Sequence, residues 1–403
     1  MNTIIKQLIS QSPVVSEAYD TSTPPFEAYV NNVDTWYQEQ TLPYEQLDKL
    51  VRQEKDLQQV IGFRIALKIA ESQRILRHIR TPITVTLINP VYKETKRMQP
   101  RNKHPHGEDS IRYKIRVLQE LEALNSNFTA RFLVIDDECP NNSGQMAAQI
   151  LQEYDQSHQT EKYSVLFLGD AINQSDPDLP PNLTHKDGPN RSVKGGAVLY
   201  GMRKVINDTV DGQHIIIDND ADLSIHPAQI GFLIQDILNG KARVVAASRR
   251  EADSVALIGD SRNTRGNLFI RIWQHLLPTL AQKITDTNRA FKAFEAQALK
   301  QFLYNIQIYT FPYQIEVLQA TISNNISLSK CGIAYVDSEA ASTQQGSNIT
   351  ETYLDQIRQI IDISQRYKAL NSQDALLNFF LTVSEKQWAE IENNPPQIIA
   401  SLL

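Results

Sequence analysis

Between residues 83 and 247 the chain alternates short apolar runs with segments of helical period, and this alternation limits the possible folds more than any other feature. The runs at 83–88, 131–135, 163–168, 215–217 and 244–247 are short and apolar, so each predicts a strand. The segments at 110–124, 144–154, 193–206 and 228–238 predict helices; Ile111, Ile115, Leu118 and Leu121 share one face of the first. Such β-α alternation predicts an α/β fold, a Rossmann-like, mostly parallel sheet with helices on both faces. Residues 44–80 carry apolar positions at helical spacing, and 353–403 return to helical composition. The expected organisation is a helical N-terminal extension over 1–80, the α/β domain over 81–345 and a C-terminal helical segment over 346–403.

The run His214-Ile215-Ile216-Ile217 ends in Asp218-Asn219-Asp220-Ala221-Asp222. Carboxylates that follow a buried strand collect where an α/β sheet opens its ligand crevice. Acids so close repel one another unless a cation neutralises them. Oxygen ligands suit Mg²⁺ or Mn²⁺, and Mg²⁺ commonly shares its shell with substrate phosphates. Asp220 and Asp222 are the expected metal ligands, and the expected substrate is a nucleoside diphosphate derivative. The bland alternative is a solvated D-x-D loop, which its place after a strand makes less attractive.

With 403 residues, 41% hydrophobic and 21% charged, the chain has the composition of an ordinary globular protein. A formal net charge of −6 argues against non-specific nucleic-acid binding. No apolar run reaches the roughly 20 residues that span a bilayer, and the first fifteen residues lack the apolar core of a signal peptide. Cys139 and Cys331 are the only cysteines, which suits a reducing, cytoplasmic setting.

Other strand ends carry polar groups. The first runs into Pro90-Val91-Tyr92-Lys93-Glu94 and the second into Asp136-Asp137-Glu138, where acids can meet a base and a ribose or simply form turns and cap a helix. Lys194-Gly195-Gly196 opens a helix, where backbone N–H groups favour anions and a lysine adds charge, or forms a flexible turn. Arg249, with Arg262 or Arg265, suits a diphosphate, or makes a solvated basic face. Asp286 and Glu316 each stand beside aromatic residues, where a carboxylate can serve as a base.

In order, these segments resemble the GT-A fold glycosyltransferases of family 2, and within them the polyprenyl-phosphate sugar transferases such as the dolichyl-phosphate glucosyltransferases. The matching residues are Pro90-Val91-Tyr92-Lys93-Glu94, Asp136-Asp137, Lys194-Gly195-Gly196-Ala197-Val198, Asp220-Ala221-Asp222, Ala247-Ser248-Arg249, Asp286-Thr287 and Tyr313-Gln314-Ile315-Glu316, spread over roughly 82–340. The resemblance implies that Pro90, Tyr92, Glu94 and Asp136 cradle the nucleoside. It implies that Asp220 and Asp222 carry the metal and that Arg249, with Arg262 or Arg265, faces phosphate groups of donor or acceptor, beside the phosphate charge read for Lys194. It implies an inverting transfer from a UDP- or GDP-linked sugar, with Asp286 as base and Glu316 in reserve. The pattern is broken by Glu138-Cys139-Pro140, Asn288-Arg289-Ala290 and Gln314, which leaves the acceptor open: a polyprenyl phosphate, a small molecule or a protein. The hydrophobic anchors of membrane-bound relatives are missing from this sequence, so membrane contact is expected to be peripheral at most.

One stretch falls outside that pattern. Residues 93–109 hold Lys93, Lys96, Arg97, Arg101, Lys103, His104 and His106, with Pro100 and Pro105 excluding a continuous helix. It reads as a basic lid or acceptor clamp, or as a solvated loop. The sequence therefore predicts a metal-dependent glycosyltransferase. A nucleotidyltransferase, which releases pyrophosphate, and a non-catalytic binding protein are the alternatives.

Overall fold

The computed structural model describes residues 3–54, 57–154, 162–184, 190–258, 263–338, 349–370, 374–393 and 399. Four helices come first: α1 (Thr3–Ser10), α2 (Pro24–Gln38), α3 (Tyr44–Val51) and α4 (Leu57–Arg77). Then β1 (Ile83–Val91), α5 (Ser110–Ala123), β2 (Phe128–Asp136), α6 (Ser143–Gln152), β3 (Tyr163–Phe167), α7 (Leu168–Asn173) and α8 (Gly195–Val205) alternate. They lead into β4 (Gln213–Asp218), α9 (Ile230–Leu238), β5 (Val244–Ser248) and β6 (Val255–Leu257). After α10 (Asn263–Leu276) and α11 (Pro278–Ala281) come β7 (Lys292–Glu295), α12 (Ala296–Leu299), α13 (Tyr313–Ser323), β8 (Leu328–Gly332) and β9 (Ala334–Val336). Helices α14 (Ile349–Arg366), α15 (Ala375–Thr382) and α16 (Glu385–Asn393) follow.

The main sheet has the order β3-β2-β1-β4-β7-β5-β8. It is parallel except for β7, which runs antiparallel to both neighbours. The expected α/β architecture is the one found, with two strands of the main sheet, β7 and β8, that the sequence reading missed. β7 is only four residues long and carries a charge at each end, so it has no apolar run to betray it. β8 is half-polar, as its sequence Leu-Ser-Lys-Cys-Gly shows.

Strand alternation builds two cores, one on each face. Ile215 and Ile217 join the core made with α1–α6 and α9, whereas Ile216 joins the one made with α8 and α10–α16. All three isoleucines are fully buried, each worth roughly 1.5–3 kcal/mol against exposure. The helices before the sheet and those after it therefore cover opposite faces. Among the described residues no helix is long and apolar enough to cross a membrane.

The register aligns the strand ends that matter. Val91 pairs with Asp136, and Ile88 with Asp218. From β1 the chain moves outward to β2 and β3, then returns to β4 on the other side of β1. That reversal is a topological switch point, where the crevice beyond the strand ends receives ligands.

Candidate active site at the switch point

A cavity of about 800 Å³ opens there, lined by the segments after β1, β2, β4 and β5 and by residues of α10 and α14. Asp220 and Asp222 face it, just beyond β4. Asn219 keeps the ladder going by donating its N–H to Ile88 O at 2.8 Å, which fixes the start of the loop. Asp218 stays inside: it accepts from Lys292 N at 2.7 Å and from the Tyr313 hydroxyl at 3.1 Å, tying β4 to β7 and α13.

The two loop aspartates differ. Asp220 takes the Lys194 ammonium in an ion pair and lies 4.0 Å from the Arg289 guanidinium. Burial would raise its pKa, but Lys194, Arg289 and Lys114 together hold it well below the usual carboxylate range. Asp222 accepts from the backbone N–H and hydroxyl of Ser224 through Oδ1. Its Oδ2 has no hydrogen-bond partner among the described residues. Beneath the loop, buried Lys114 of α5 donates to Asn89 Oδ1 at 2.6 Å and to the Asp220 carbonyl. Burial lowers its pKa to about 8 despite the surrounding carboxylates.

Lys194 sits at φ +68°, a conformation costing a non-glycine residue roughly 1–3 kcal/mol. Its N–H donates to Asp137 Oδ2 at 2.8 Å, which holds the turn and aims its side chain at Asp220. The helix that follows does not offer the anion-binding amides its sequence suggested. The N–H groups of Gly195, Gly196 and Ala197 go to Val193 O, Tyr309 O and Ser192 Oγ. Gly195 is instead required by packing, because a Cβ there would stand 2.7 Å from the Tyr309 backbone.

Further corrections concern Asp136, Asp286 and Glu316. Asp136 accepts from Cys139 N at 2.9 Å and Gly144 N at 2.7 Å, so it shapes a turn and a helix start, and it does not line the cavity. Its neighbour Asp137 does, with a buried Oδ1 that has no hydrogen-bond partner among the described residues. Glu316 lies fully buried on α13, bound to the N–H groups of Gln307 and Ile308 and to Arg366, away from the cavity. Asp286 lines the cavity but is held by Arg249 at 2.6 and 2.9 Å. Pro90, Tyr92, Glu94, Lys194 and Arg249 line the cavity. Arg262 and the side chain of Arg265 lie outside the described residues.

Sequence reasoning passed over Arg289, which the structure brings beside Asp220 and over the Tyr335 ring, 4.8 Å from its centroid. It stands among the residues that broke the family pattern. Within the 93–109 stretch, read from sequence as a basic lid or acceptor clamp or as a solvated loop, two of the basic residues are paired. Arg97 is buried against Glu94 at 2.6 Å, and Arg101 pairs with Glu17 over the Tyr19 ring. The N–H groups of Glu108 and Asp109 close the turn onto Arg97 O and Gln99 O. Gly107 permits this, since a Cβ would fall 2.5 Å from Gln99 O. Lys96 and Lys103 remain exposed and do not line the cavity.

No protein-family model matches the chain, and no curated protein matches it. Similar solved structures include glucosyl-3-phosphoglycerate synthase from Mycobacterium tuberculosis in complex with Mn²⁺, uridine diphosphate and glucosyl-3-phosphoglycerate. That structure is 15% identical with a TM-score of 0.45, covering 75% of this chain and 85% of that one. Mannosyl-3-phosphoglycerate synthase from Rubrobacter xylanophilus is 12% identical with a TM-score of 0.46, covering 75% and 80%. The chemistry of this chain rests on its own residues.

Among the described residues, eight carboxylates and five cationic side chains line the cavity, a formal excess of three negative charges. An anionic ligand entering such a space needs a cation with it. No group of three or more His, Cys, Asp or Glu among the described residues makes a complete protein cage for a metal. The donor set fits a hard divalent ion nonetheless: paired carboxylates at a strand end, one oxygen of Asp222 unclaimed, and room for a ligand to complete the shell.

Proposed function

We propose that this chain is a metal-dependent glycosyltransferase that moves a sugar from a nucleoside-diphosphate sugar to an acceptor. One observation carries the reading: Asp220 and Asp222 face a large cavity at the switch point, with Lys194 and Arg289 converging on Asp220. Asp222, with Asp220, would hold Mg²⁺ or Mn²⁺, which neutralises charge on a leaving diphosphate. Lys194 and Arg289 are placed to exchange Asp220 for diphosphate oxygens. Arg249, fixed by Asp286, presents a preset guanidinium beside them. Oδ1 of Asp137, without a hydrogen-bond partner among the described residues, is suited to accept an N–H from the nucleobase.

The reading includes inversion at the anomeric carbon, with the acceptor oxygen attacking opposite the diphosphate. Because Arg249 occupies Asp286, the arrangement favours an acceptor oxygen already ionised on arrival, as a phosphate is. Mass spectrometry after incubation with a panel of UDP- and GDP-sugars and Mn²⁺ tests the assignment. Nucleoside diphosphate should appear, slowly by hydrolysis even without an acceptor. Release of pyrophosphate from nucleoside triphosphates and sugar phosphates, with no diphosphate from any sugar nucleotide, would make the chain a nucleotidyltransferase.

A further inference from the structure

The 93–109 stretch and the helix behind it place charge where the metal reading makes it matter. Glu94, Glu108, Asp220 and Asp222 cluster around two resident cations, Arg97 and Lys114. Arg97 binds both oxygens of Glu94, at 2.8 and 2.6 Å, and its Nε lies 3.9 Å from Glu108. Glu108 reaches across to accept from Leu223 N at 2.9 Å and from the Ser338 hydroxyl. Lys114, fully buried, donates to the Asp220 carbonyl from below. The charge of Asp222 acts on both Arg97 and Lys114. On the opposite side Lys194 and Arg289 face Asp220. The aspartate loop is thus gripped from within by a built network of fixed charge, and Arg97, Glu108 and Lys114 belong to no motif that the proposed transfer requires.

We infer that Arg97 and Lys114 are positioning residues that hold down the affinity of the Asp220–Asp222 loop for a free divalent cation, so that the metal binds together with the nucleoside diphosphate rather than ahead of it. This rests on the metal-dependent transfer proposed above. Arg97 and Lys114 from within, with Lys194 and Arg289 from the other side, balance the four carboxylates, so a free ion gains little; the charge of an incoming diphosphate restores the attraction. Removing an internal cation should therefore tighten binding of the metal alone. A purely structural role predicts the reverse, because a loosened loop binds less well.

The test measures Mn²⁺ binding by titration calorimetry near pH 7.5, alone and with UDP or GDP, with folding followed by circular dichroism. The parent protein should bind Mn²⁺ alone weakly and with a nucleoside diphosphate tightly. Lys114→Met and Arg97→Met should each bind Mn²⁺ alone roughly tenfold tighter or more, and Glu108→Gln, which keeps the contact to Leu223, more weakly. Both methionine variants folded and binding Mn²⁺ alone no tighter than the parent would overturn the inference. If one fails to fold, the sign of the other and of Glu108→Gln decides. A parent that binds Mn²⁺ equally well with and without nucleotide overturns the inference while leaving the transfer reading standing. A parent that binds neither nucleoside diphosphate in Mn²⁺ removes both.

Discussion

Both carboxylate oxygens of Asp286 accept from the Arg249 side chain, and one also accepts from the Arg249 N–H at 3.2 Å. Burial alone would raise this pKa, but Arg249 and Arg289 keep it below the usual carboxylate range. A carboxylate so stabilised takes up a proton poorly at neutral pH, which is why the base role read from its sequence context does not suit it. Asp286→Asn should leave the Arg249 guanidinium, 16% exposed, without its countercharge. Losing one partner of such a pair costs about 3 kcal/mol. Denaturant unfolding should show that loss, and calorimetry should show weaker nucleoside diphosphate binding alongside it. A variant with parental stability and parental diphosphate binding that loses turnover alone would return Asp286 to the role of base.

At the scale of elements, the segment after the aspartate loop starts with His226, which caps the short helix Pro227–Gln229 leading into α9. Its Nδ1 accepts from Ala228 N at 3.2 Å, so the ring proton sits on Nε2 and faces the Tyr113 oxygen at 2.7 Å. Tyr113 in turn donates to Thr21 O at 3.3 Å, linking the N-terminal region to α5 and α9. Burial, with Arg116 nearby, lowers the His226 pKa from 6.5 to about 3. Between those values the unfolded chain binds a proton that the folded one refuses. Stability is therefore complete above pH 6.5 and falls as pH drops through the window, at up to about 1.4 kcal/mol per pH unit. Buried His214, lowered to about 4, acts in the same direction. His226→Asn keeps a capping oxygen and removes the titrating group. Urea unfolding at pH 7 and pH 5 should show the variant losing roughly 2 kcal/mol less than the parent between the two. Equal losses would mean that this imidazole is not proton-linked to folding.

For the molecule as a whole, the α/β order was legible because strand runs such as 215–217 are apolar on both faces and nothing but a covered sheet accommodates them. The place of Asp220 and Asp222 followed from that, since a strand end fixes its loop. What depended on partners distant in sequence was not legible. Asp136 and Asp137 are adjacent, yet only the fold shows that Gly144 and Cys139 claim the first, leaving the second to the cavity. The positive charge of 93–109 left a lid, an acceptor clamp and a solvated loop open because its countercharge is scattered; Glu17 stands far upstream. The N-terminal helices looked like an appendage, yet Lys68 of α4 is fully buried and binds Asp253 at 2.7 Å and Gly332 O at 2.8 Å beside the strands that frame the site. These contacts put α4 behind the cavity, whose lining among the described residues carries an excess of negative charge that calls for a cation with any anionic ligand. Titration calorimetry of UDP and GDP, with and without Mn²⁺, on the parent and Asp222→Ala tests that claim most directly. The account predicts binding by at least one nucleotide that requires Mn²⁺ and is lost in the variant; binding of equal strength without metal, or metal-dependent binding that survives Asp222→Ala, would contradict it.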